Sequence, residues 1–177
     1  TRDPEPQRSA YVDVLLGDYD KRQVRGAVNL PLGGSKLVAR LAGTASKREG
    51  YTDNIFLNKE IDDEDYAALR GKLLYAPTPE LSLLLSAEHH DEDDSRGLAP
   101  QPRDDIAGSG AILLGGIVPD DPRQVTSNVD IGMNLRADRY SAKLAWRRDA
   151  LEFVSTTAYV RSDVEFLLDL DNTNVDF

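Results

Sequence analysis

Apolar residues recur at alternate positions in seven short stretches of the chain, and turn-forming residues separate these stretches. A period of two is typical of β-strands, because successive side chains of a strand point to opposite faces of its sheet. The sequence therefore predicts seven strands. The predicted strands cover residues 9–17, 22–30, 36–46, 66–76, 80–89, 139–147 and 151–163.

Residues 62–74 are the place where a helix competes with this prediction. Ala67, Ala68 and Leu69 are good helix formers. Gly71 interrupts the helical pattern, however, and Pro77 follows shortly after it. We therefore favour a strand over a helix for this segment.

The two faces of the predicted strands differ in chemistry. One face is mostly apolar, whereas the other carries several charged residues. These are Asp13, Arg25, Arg40, Arg70, Lys72, Glu88, Lys143 and Arg147. In a transmembrane barrel the apolar face meets lipid and the charged face lines a lumen. In a soluble β-sandwich the apolar faces pack together and the charged faces meet water. Alternation alone fits both architectures.

The connections between the strands alternate in length. Residues 31–35, 77–79 and 148–150 are short and rich in turn-forming types. Most of the alternate connections differ: residues 47–65 and 90–138 are long and polar, and residues 168–177 leave the last strand in the same way, whereas residues 17–21 are short. Outer-membrane barrels have short turns at one rim and long loops at the other. The pattern thus favours an all-β fold, an antiparallel up-and-down transmembrane β-barrel fragment of about seven strands that forms an incomplete barrel.

Composition narrows the classes of function. The formal net charge is −10, with 31 acidic and 21 basic residues, which argues against a nucleic-acid-binding protein. The chain has no cysteine, so disulfides and cysteine-ligated metals are excluded. Mean hydropathy is −0.45, and no stretch approaches the roughly 18 apolar residues of a membrane-spanning helix. No spacing of serine and histidine suggests catalysis, so we expect no enzyme and no cofactor.

A cluster of histidines and acids in residues 89–94 is the first candidate site. Its imidazoles and carboxylates are ligand types for a divalent cation. We favour a solvated extracellular loop, since runs of charge are usually loops, and predict no metal site. The loop residues that could contact a solute are His89, His90, Asp91 and Asp93. Asp169, Asp171 and Asn172 begin like a calcium loop but lack its glycine and later glutamate.

Four cations on the charged face form the second candidate site: Arg25, Arg40, Arg70 and Lys72. If this face lines a lumen, these residues could guide an anionic ligand. The favoured interpretation is that they pair with carboxylates of neighbouring strands or of a domain inside the barrel.

Several segments form an ordered set along the chain. They are residues 1–5 (TRDPE), 17–20 (GDYD), 24–32 (VRGAVNLPL), 40–43 (RLAG), 48–54 (REGYTDN), 62–73 (DDEDYAALRGKL), 155–159 (STTAY) and 169–171 (DLD). Together they resemble the barrel of TonB-dependent receptors from the bacterial outer membrane. In this resemblance residues 1–5 are similar to the end of a plug domain, residues 17–32 to the first barrel hairpin, and the remaining segments to later strands and loops.

The resemblance implies a plug-to-barrel junction at residues 1–8 and the N-terminal portion of the barrel at residues 9–177. It implies energy-coupled uptake of a scarce solute such as an iron chelate, a vitamin or a sugar. The implied partners are outer-membrane lipid, a plug domain of the same parent chain, the TonB energy-coupling complex acting through that plug, and a small solute. We expect the chain to be truncated at both ends. The alternatives are a soluble β-sandwich binding module and an outer-membrane porin without a plug.

Overall fold

The computed structural model describes residues 2–98 and 113–176. The described residues form ten strands and no helical element. The strands are β1 (Ser9–Gly17), β2 (Lys21–Pro31), β3 (Leu37–Arg48), β4 (Thr52–Asn54), β5 (Lys59–Ile61), β6 (Glu64–Thr78), β7 (Leu81–Asp94), β8 (Gln124–Val125), β9 (Gly132–Arg148) and β10 (Leu151–Leu167).

Seven of these strands form one antiparallel sheet in the order β1-β2-β3-β6-β7-β9-β10. Each strand pairs with the strand that precedes it in this order, which makes the sheet an up-and-down meander. Within the described part of the chain the sheet stays open, with β1 and β10 at its edges. All seven strands predicted from the alternation are confirmed, and the helix considered for residues 62–74 is wrong.

One irregularity interrupts the pairing of β6 with β7. The register shifts between Tyr75 and Thr78, where Pro77 lies within β6. Proline has no backbone N–H to donate to the ladder, and such residues are tolerated in sheets at bulges. The neighbouring Ala76 donates its backbone N–H to the carbonyl of Lys36 at 2.7 Å, so the pairing of β6 with β3 extends beyond Leu37.

The connections lie at two ends of the sheet. Residues 32–36, 79–80 and 149–150 are the short turns of one end, which we call the turn end. Residues 18–20, 49–63, 95–98, 113–131 and 168–176 lie at the opposite end, the loop end. At the loop end Tyr19 and Asp20 both have positive φ, 57° and 51°, as a tight turn between twisted strands requires.

The long connections are more ordered than the sequence indicates. Strands β4, β5 and β8 form a second, three-stranded sheet at the loop end, in which β4 pairs antiparallel with β5 and parallel with β8. Ile61, Val125 and Ile131 form a small buried cluster there, with Val129 packed against it. The long polar connections predicted at residues 47–65 and 90–138 therefore contain short strands where the structure describes them.

The register of the main sheet places most of its large apolar residues on one side and most of its charged residues on the other. The edge strands depart from this pattern, since exposed apolar residues also lie on their polar side: Tyr11, Leu15, Val154, Val160, Val164 and Phe166. On the apolar face, Leu73 of β6 lies opposite Leu85 of β7, and Leu144 of β9 lies opposite Leu83. Many large side chains of this face are exposed: Val12, Val14, Leu16, Val24, Leu30, Leu41, Leu69, Tyr75, Leu85, Tyr140, Leu144, Trp146, Leu151, Phe153 and Tyr159.

The buried residues of the main sheet lie on the other side, the polar face. They are Ala27, Asn29, Val38, Ser46, Glu64, Glu92, Asp94 and Ala137. A sheet of a water-soluble protein usually buries its apolar face and exposes its polar one. The described residues show the reverse arrangement.

No helix within residues 2–98 and 113–176 has the length and apolar character needed to cross a membrane.

Candidate functional site

The polar face carries rows of charged side chains, because register pairs place residues of neighbouring strands at the same height. Arg70 of β6, Glu88 of β7 and Arg139 of β9 form one row. The carboxylate of Glu88 accepts hydrogen bonds from Arg70 and from Nη1 of Arg139, the latter at 2.6 Å. One carboxylate therefore bridges two guanidinium groups.

The next row toward the turn end contains Asn29, Arg40 and Lys72 on β2, β3 and β6. Arg40 and Lys72 are a like-charged pair directly opposite each other, an arrangement that is unfavourable without an anion nearby. Lys72 Nζ lies 2.7 Å from Oδ1 of Asp3. Asp3 belongs to the segment before β1, so this segment reaches across the polar face to β6.

Arg40 differs from the other cations of the face. Within the described residues it forms no ion pair, although it is half-buried. Its neighbour Asn29 is buried and donates from Nδ2 to Ser9 Oγ at 2.8 Å, while Oδ1 of Asn29 has no hydrogen-bond partner among the described residues. Among the described residues, this row thus combines a cation without a counter-ion and an amide oxygen without a donor.

Arg25 lies on the same face but is paired. Its Nε lies 3.0 Å from Oδ2 of Asp13, its register partner on β1. The structure therefore gives carboxylate partners within the sheet to Arg25 and Arg70, and gives Lys72 the carboxylate of Asp3. Arg40 forms no ion pair among the described residues, and a role of these four cations in a lumen stays a prediction.

A denser ionic cluster lies on the polar face at the loop end, centred on the buried Glu64. Lys21 Nζ lies 2.8 Å from its carboxylate, and the guanidinium groups of Arg96 and Arg48 lie 3.7 Å and 4.0 Å away. The hydroxyl of Ser46 also donates to Glu64. Burial raises the pKa of the Glu64 carboxyl, but Lys21, Ser46 and Arg96 lower it by more, so the net shift is downward.

Arg96 ties the long connection that follows β7 to this cluster. Its guanidinium bonds to Glu92, lies 3.8 Å from Asp94 and stands over the ring of Tyr66, 5.4 Å from the ring centre. Burial lowers the pKa of Arg96, and the neighbouring carboxylates raise it by more. The pKa of Asp94 is shifted upward, because burial raises it by more than the hydrogen bonds to its carboxylate and the charge of Arg96 lower it. All of these groups stand at the loop end, beyond the exposed apolar residues.

The histidine and acid cluster of residues 89–94 is not a loop. It is the end of β7, because its backbone pairs with β6 on one side and β9 on the other. Strand alternation separates its members: His89 and Asp91 continue the apolar face, and His90 lies on the polar face. His89 Nδ1 lies 2.8 Å from Asp138, His90 Nε2 2.9 Å from Glu92, and Asp91 2.9 Å from Arg136.

Asp93 lines a polar cavity of about 510 Å³ at the loop end, which Lys47, Lys59 and Asp130 also line. Lys59 and Asp130 are themselves paired at 2.6 Å. Within residues 2–98 and 113–176 no three histidine or acidic side chains come together in a way that could hold a metal ion.

Residues 169–172, which begin like a calcium loop in sequence, form a turn. Asp169 Oδ1 accepts hydrogen bonds from the backbone N–H groups of Asp171 and Asn172, as in an Asx turn.

Glu64 and Arg96 were not among the candidates from sequence. Lys21 and Glu64 are 43 residues apart, and only the register of β2, β3 and β6 brings them together. The one available signal in the sequence is the acidic run of residues 62–65, at the end of the long polar connection of residues 47–65. No protein-family model matches the chain.

Proposed function

We propose that this chain forms part of the wall of a transmembrane β-barrel in the bacterial outer membrane, and that the barrel belongs to a TonB-dependent receptor. The observation that carries the proposal is the reversal of the two faces. The large apolar residues of the main sheet are exposed, and its buried residues lie on the polar side. Lipid is the environment in which an exposed apolar face is favourable.

The height of the apolar face is consistent with this environment. On β9 the charged residues Arg148 and Asp138 lie on that face, and the alternate positions between them are Trp146, Leu144, Ala142 and Tyr140. The span from Arg148 to Asp138 is about 33 Å of strand at about 3.3 Å per residue. A strand tilted by about 40° would convert this to about 25 Å, the height of the apolar band of outer-membrane barrels.

The two ends of the sheet add a second argument. The turn end carries short turns, and the loop end carries long connections that fold into the second sheet. Outer-membrane barrels place short turns on the periplasmic side and long loops outside. In this orientation the second sheet would face the cell exterior, where a receptor meets its solute.

A β-sandwich is the alternative from another class. Its two sheets bury their apolar faces against each other. The exposed side chains of the apolar face, with Phe153 at 53% and Leu69 at 55% exposure, weigh against that architecture.

The position of the single tryptophan provides the test. Trp146 lies on the apolar face, and its neighbour Ala145 lies on the polar face. The chain is refolded into vesicles that contain phospholipids brominated along their acyl chains, and indole fluorescence is recorded. We expect strong quenching of Trp146. In the double variant Trp146→Phe with Ala145→Trp, the indole moves to the polar face and should be quenched far less. Equal quenching of both proteins, or quenching of neither, would overturn the membrane wall.

The receptor and the plug-less porin are separated by a different observation. A TonB-dependent receptor requires a plug of about 100–150 residues, the size of a small domain. We expect the genomic reading frame upstream of Thr1 to encode such a domain. A frame that starts with a signal peptide directly before Thr1 would favour the porin.

A further inference from the structure

We propose that a cavity on the apolar face holds one acyl chain of a phospholipid, and that the phosphoethanolamine headgroup of this lipid bonds to charged side chains beyond the cavity, toward the loop end. This proposal rests on the proposed function and deepens it, because it names the lipid that the wall would bind at one place. General contact with lipid needs only an apolar face, whereas a lipid site needs a recess and headgroup partners.

The recess is a cavity of about 640 Å³, within the roughly 300–1,000 Å³ of pockets that hold small molecules. Small residues on neighbouring strands line it. Gly71 of β6 and Ala87 of β7 are register partners there, and Ala142 of β9 lies in the adjacent row. No atom lies within 4 Å of a Cβ added at Gly71. The apolar face therefore contains open space at this place.

Larger side chains border the cavity. Leu73 and Leu85 lie opposite each other in the row nearer the turn end. Tyr140 lies opposite Tyr159, and their rings stack with centres 6.4 Å apart. A recess between leucine and tyrosine side chains offers an alkyl chain close van der Waals contact on several sides. An acyl chain is therefore the occupant that the lining favours.

Charged side chains lie directly beyond the cavity on the same face, two residues farther along β7, β9 and β10. This step is about 7 Å at about 3.3 Å per residue. Six charged side chains alternate in type along and across the strands, and we call them the charged grid: His89 and Asp91 of β7, Asp138 and Arg136 of β9, and Arg161 and Asp163 of β10. A lipid with its chain in the cavity would place its headgroup at this grid.

The charges of the grid fit a headgroup that carries both signs. The guanidinium groups of Arg136 and Arg161 lie 2.9 Å and 3.4 Å from carboxylates of the grid, and both are exposed. Guanidinium groups donate to phosphate, and carboxylates accept from a primary ammonium group. The next row toward the loop end adds the carboxylates of Asp93 and Glu165. An anionic headgroup would therefore meet more carboxylates than cations, whereas phosphoethanolamine would find partners for both of its charges.

A chain with its single indole at the cavity provides the test. Trp146→Phe removes the native indole, and Tyr159→Trp places one at the border of the cavity. This reporter chain is refolded into phosphatidylcholine vesicles that contain a small fraction of phosphatidylethanolamine brominated along its acyl chains. A lipid that surrounds the wall at random quenches in proportion to its fraction. We expect quenching above this proportion, with an apparent affinity about threefold or more above that of brominated phosphatidylglycerol.

Filling the cavity should remove the excess quenching. Ala87→Phe in the reporter chain places a ring in the cavity. Ala10→Phe is the matched control, because Ala10 is an exposed alanine in the same row of the same face and does not line the cavity. We expect proportional quenching in Ala87→Phe and excess quenching in Ala10→Phe. The same quenching in both variants would overturn the acyl-chain site.

Arg161→Gln in the reporter chain tests the headgroup. It should reduce the affinity for brominated phosphatidylethanolamine to that for brominated phosphatidylglycerol. Arg22→Gln is the matched control, since Arg22 is exposed to the same extent on the same face and pairs with Asp20, outside the grid. It should keep the preference. Equal quenching by the two brominated lipids in the reporter chain itself would overturn the headgroup assignment.

Quenching of the native Trp146 separates this proposal from the proposed function. If brominated lipid quenches Trp146 but quenches the reporter chain only in proportion to its fraction, the lipid site fails and the membrane wall stands. If Trp146 is not quenched in the unaltered chain, the proposed function itself fails.

Discussion

Trp146 and Phe153 lie opposite each other on β9 and β10, on the apolar face, next to the turn that joins the two strands. Toward the loop end of the same two strands, the rings of Tyr140 and Tyr159 stack with their centres 6.4 Å apart. Both pairs carry exposed aromatic side chains. They bracket a zone that contains Leu144 and Ala142 on β9 and Ser155 and Thr157 on β10, and we call this zone of the apolar face the apolar belt. Leu85 of β7 lies within it, opposite Ala142.

The first prediction uses the belt to separate lipid from water. Leu85→Arg places a charge in the middle of the belt, and Ser86→Arg places the same charge one residue away on the polar face. In a bilayer Leu85→Arg should cost about 2–4 kcal/mol, the cost of arginine at the midplane of an outer-membrane barrel. Ser86→Arg should cost much less. The measurement is urea unfolding of the chain in lipid vesicles.

The same pair of variants has a different expected result if the apolar belt faces water. Leu85 is 41% exposed. Exposed substitutions in water usually change stability by less than about 0.5 kcal/mol. Similar unfolding midpoints for the two variants would thus contradict a lipid-facing belt.

The second prediction concerns the small sheet at the loop end. Gly50 is buried against β5, and a Cβ atom added there would lie 2.4 Å from the carbonyl oxygen of Ile61 and 2.8 Å from its nitrogen. Both are backbone atoms, so the strand itself would have to move. Gly50→Ala should therefore displace β5 and expose the cluster of Ile61, Val125 and Ile131, at a cost of about 1–3 kcal/mol.

Gly71→Ala is the control for this change. No atom lies within 4 Å of the position of its added Cβ. Hydrogen exchange of residues 52–61 should become faster in Gly50→Ala and stay unchanged in Gly71→Ala. Protection of β4 and β5 that is the same in both variants would show that the close approach at Gly50 does not hold the small sheet in place.

The alternation of apolar residues predicts the seven long strands because one face of each is apolar enough to produce a clear period of two. The same signal fails where both faces are polar. Residues His89, Asp91 and Asp93 continue β7, yet their acidic and imidazole side chains resemble a loop in sequence. Strands β4, β5 and β8 have three, three and two residues, too short for any period to be recognised.

The sequence predicts which residues of the candidate site share a face, but not which of them pair with each other. Period two places Arg25, Arg40, Arg70 and Lys72 on one face. Which of them has a carboxylate partner depends on register, and register depends on pairings between distant segments. Glu88 meets Arg139 across 51 residues, and Asp3 meets Lys72 across 69. No local pattern contains that information.

The third prediction follows from the lowered pKa of Glu64. A carboxyl group whose pKa is lowered by folding contributes stability that is fully present above its unfolded pKa and is lost as the pH falls through the folded pKa. The ordinary value for Glu64 is 4.5. Glu64→Gln should therefore destabilise the chain by about 2 kcal/mol at pH 7, the scale of a lost charged hydrogen bond. The difference from the unaltered chain should shrink below about pH 4.

Asp94→Asn is the contrasting variant, since burial raises the pKa of Asp94 in the folded state. A raised carboxyl pKa disfavours the ionised form, so the amide should cost less at pH 7 than Glu64→Gln does. Urea unfolding at pH 7 and at pH 3 gives both comparisons. A destabilisation by Glu64→Gln that is equally large at the two pH values would show that the cluster acts through packing and not through charge.

The last prediction concerns the edges of the main sheet. Strand β10 has 17 exposed residues and pairs with β9 alone among the described strands. A long exposed edge with apolar side chains is a template for pairing with another chain. Without detergent or lipid, the chain should therefore aggregate, with a broad distribution in sedimentation velocity.

The double variant Val160→Lys and Val164→Lys of β10 should reduce the aggregates, because charged side chains block edge pairing. The same two lysines at Val24 and Val28 of the interior strand β2 should leave the β10 edge as reactive as before. A monomer that sediments as one species in plain buffer and unfolds in a sharp thermal transition would contradict both the open edge and the lipid-facing belt, since such a protein has already satisfied its edges and its apolar face in water.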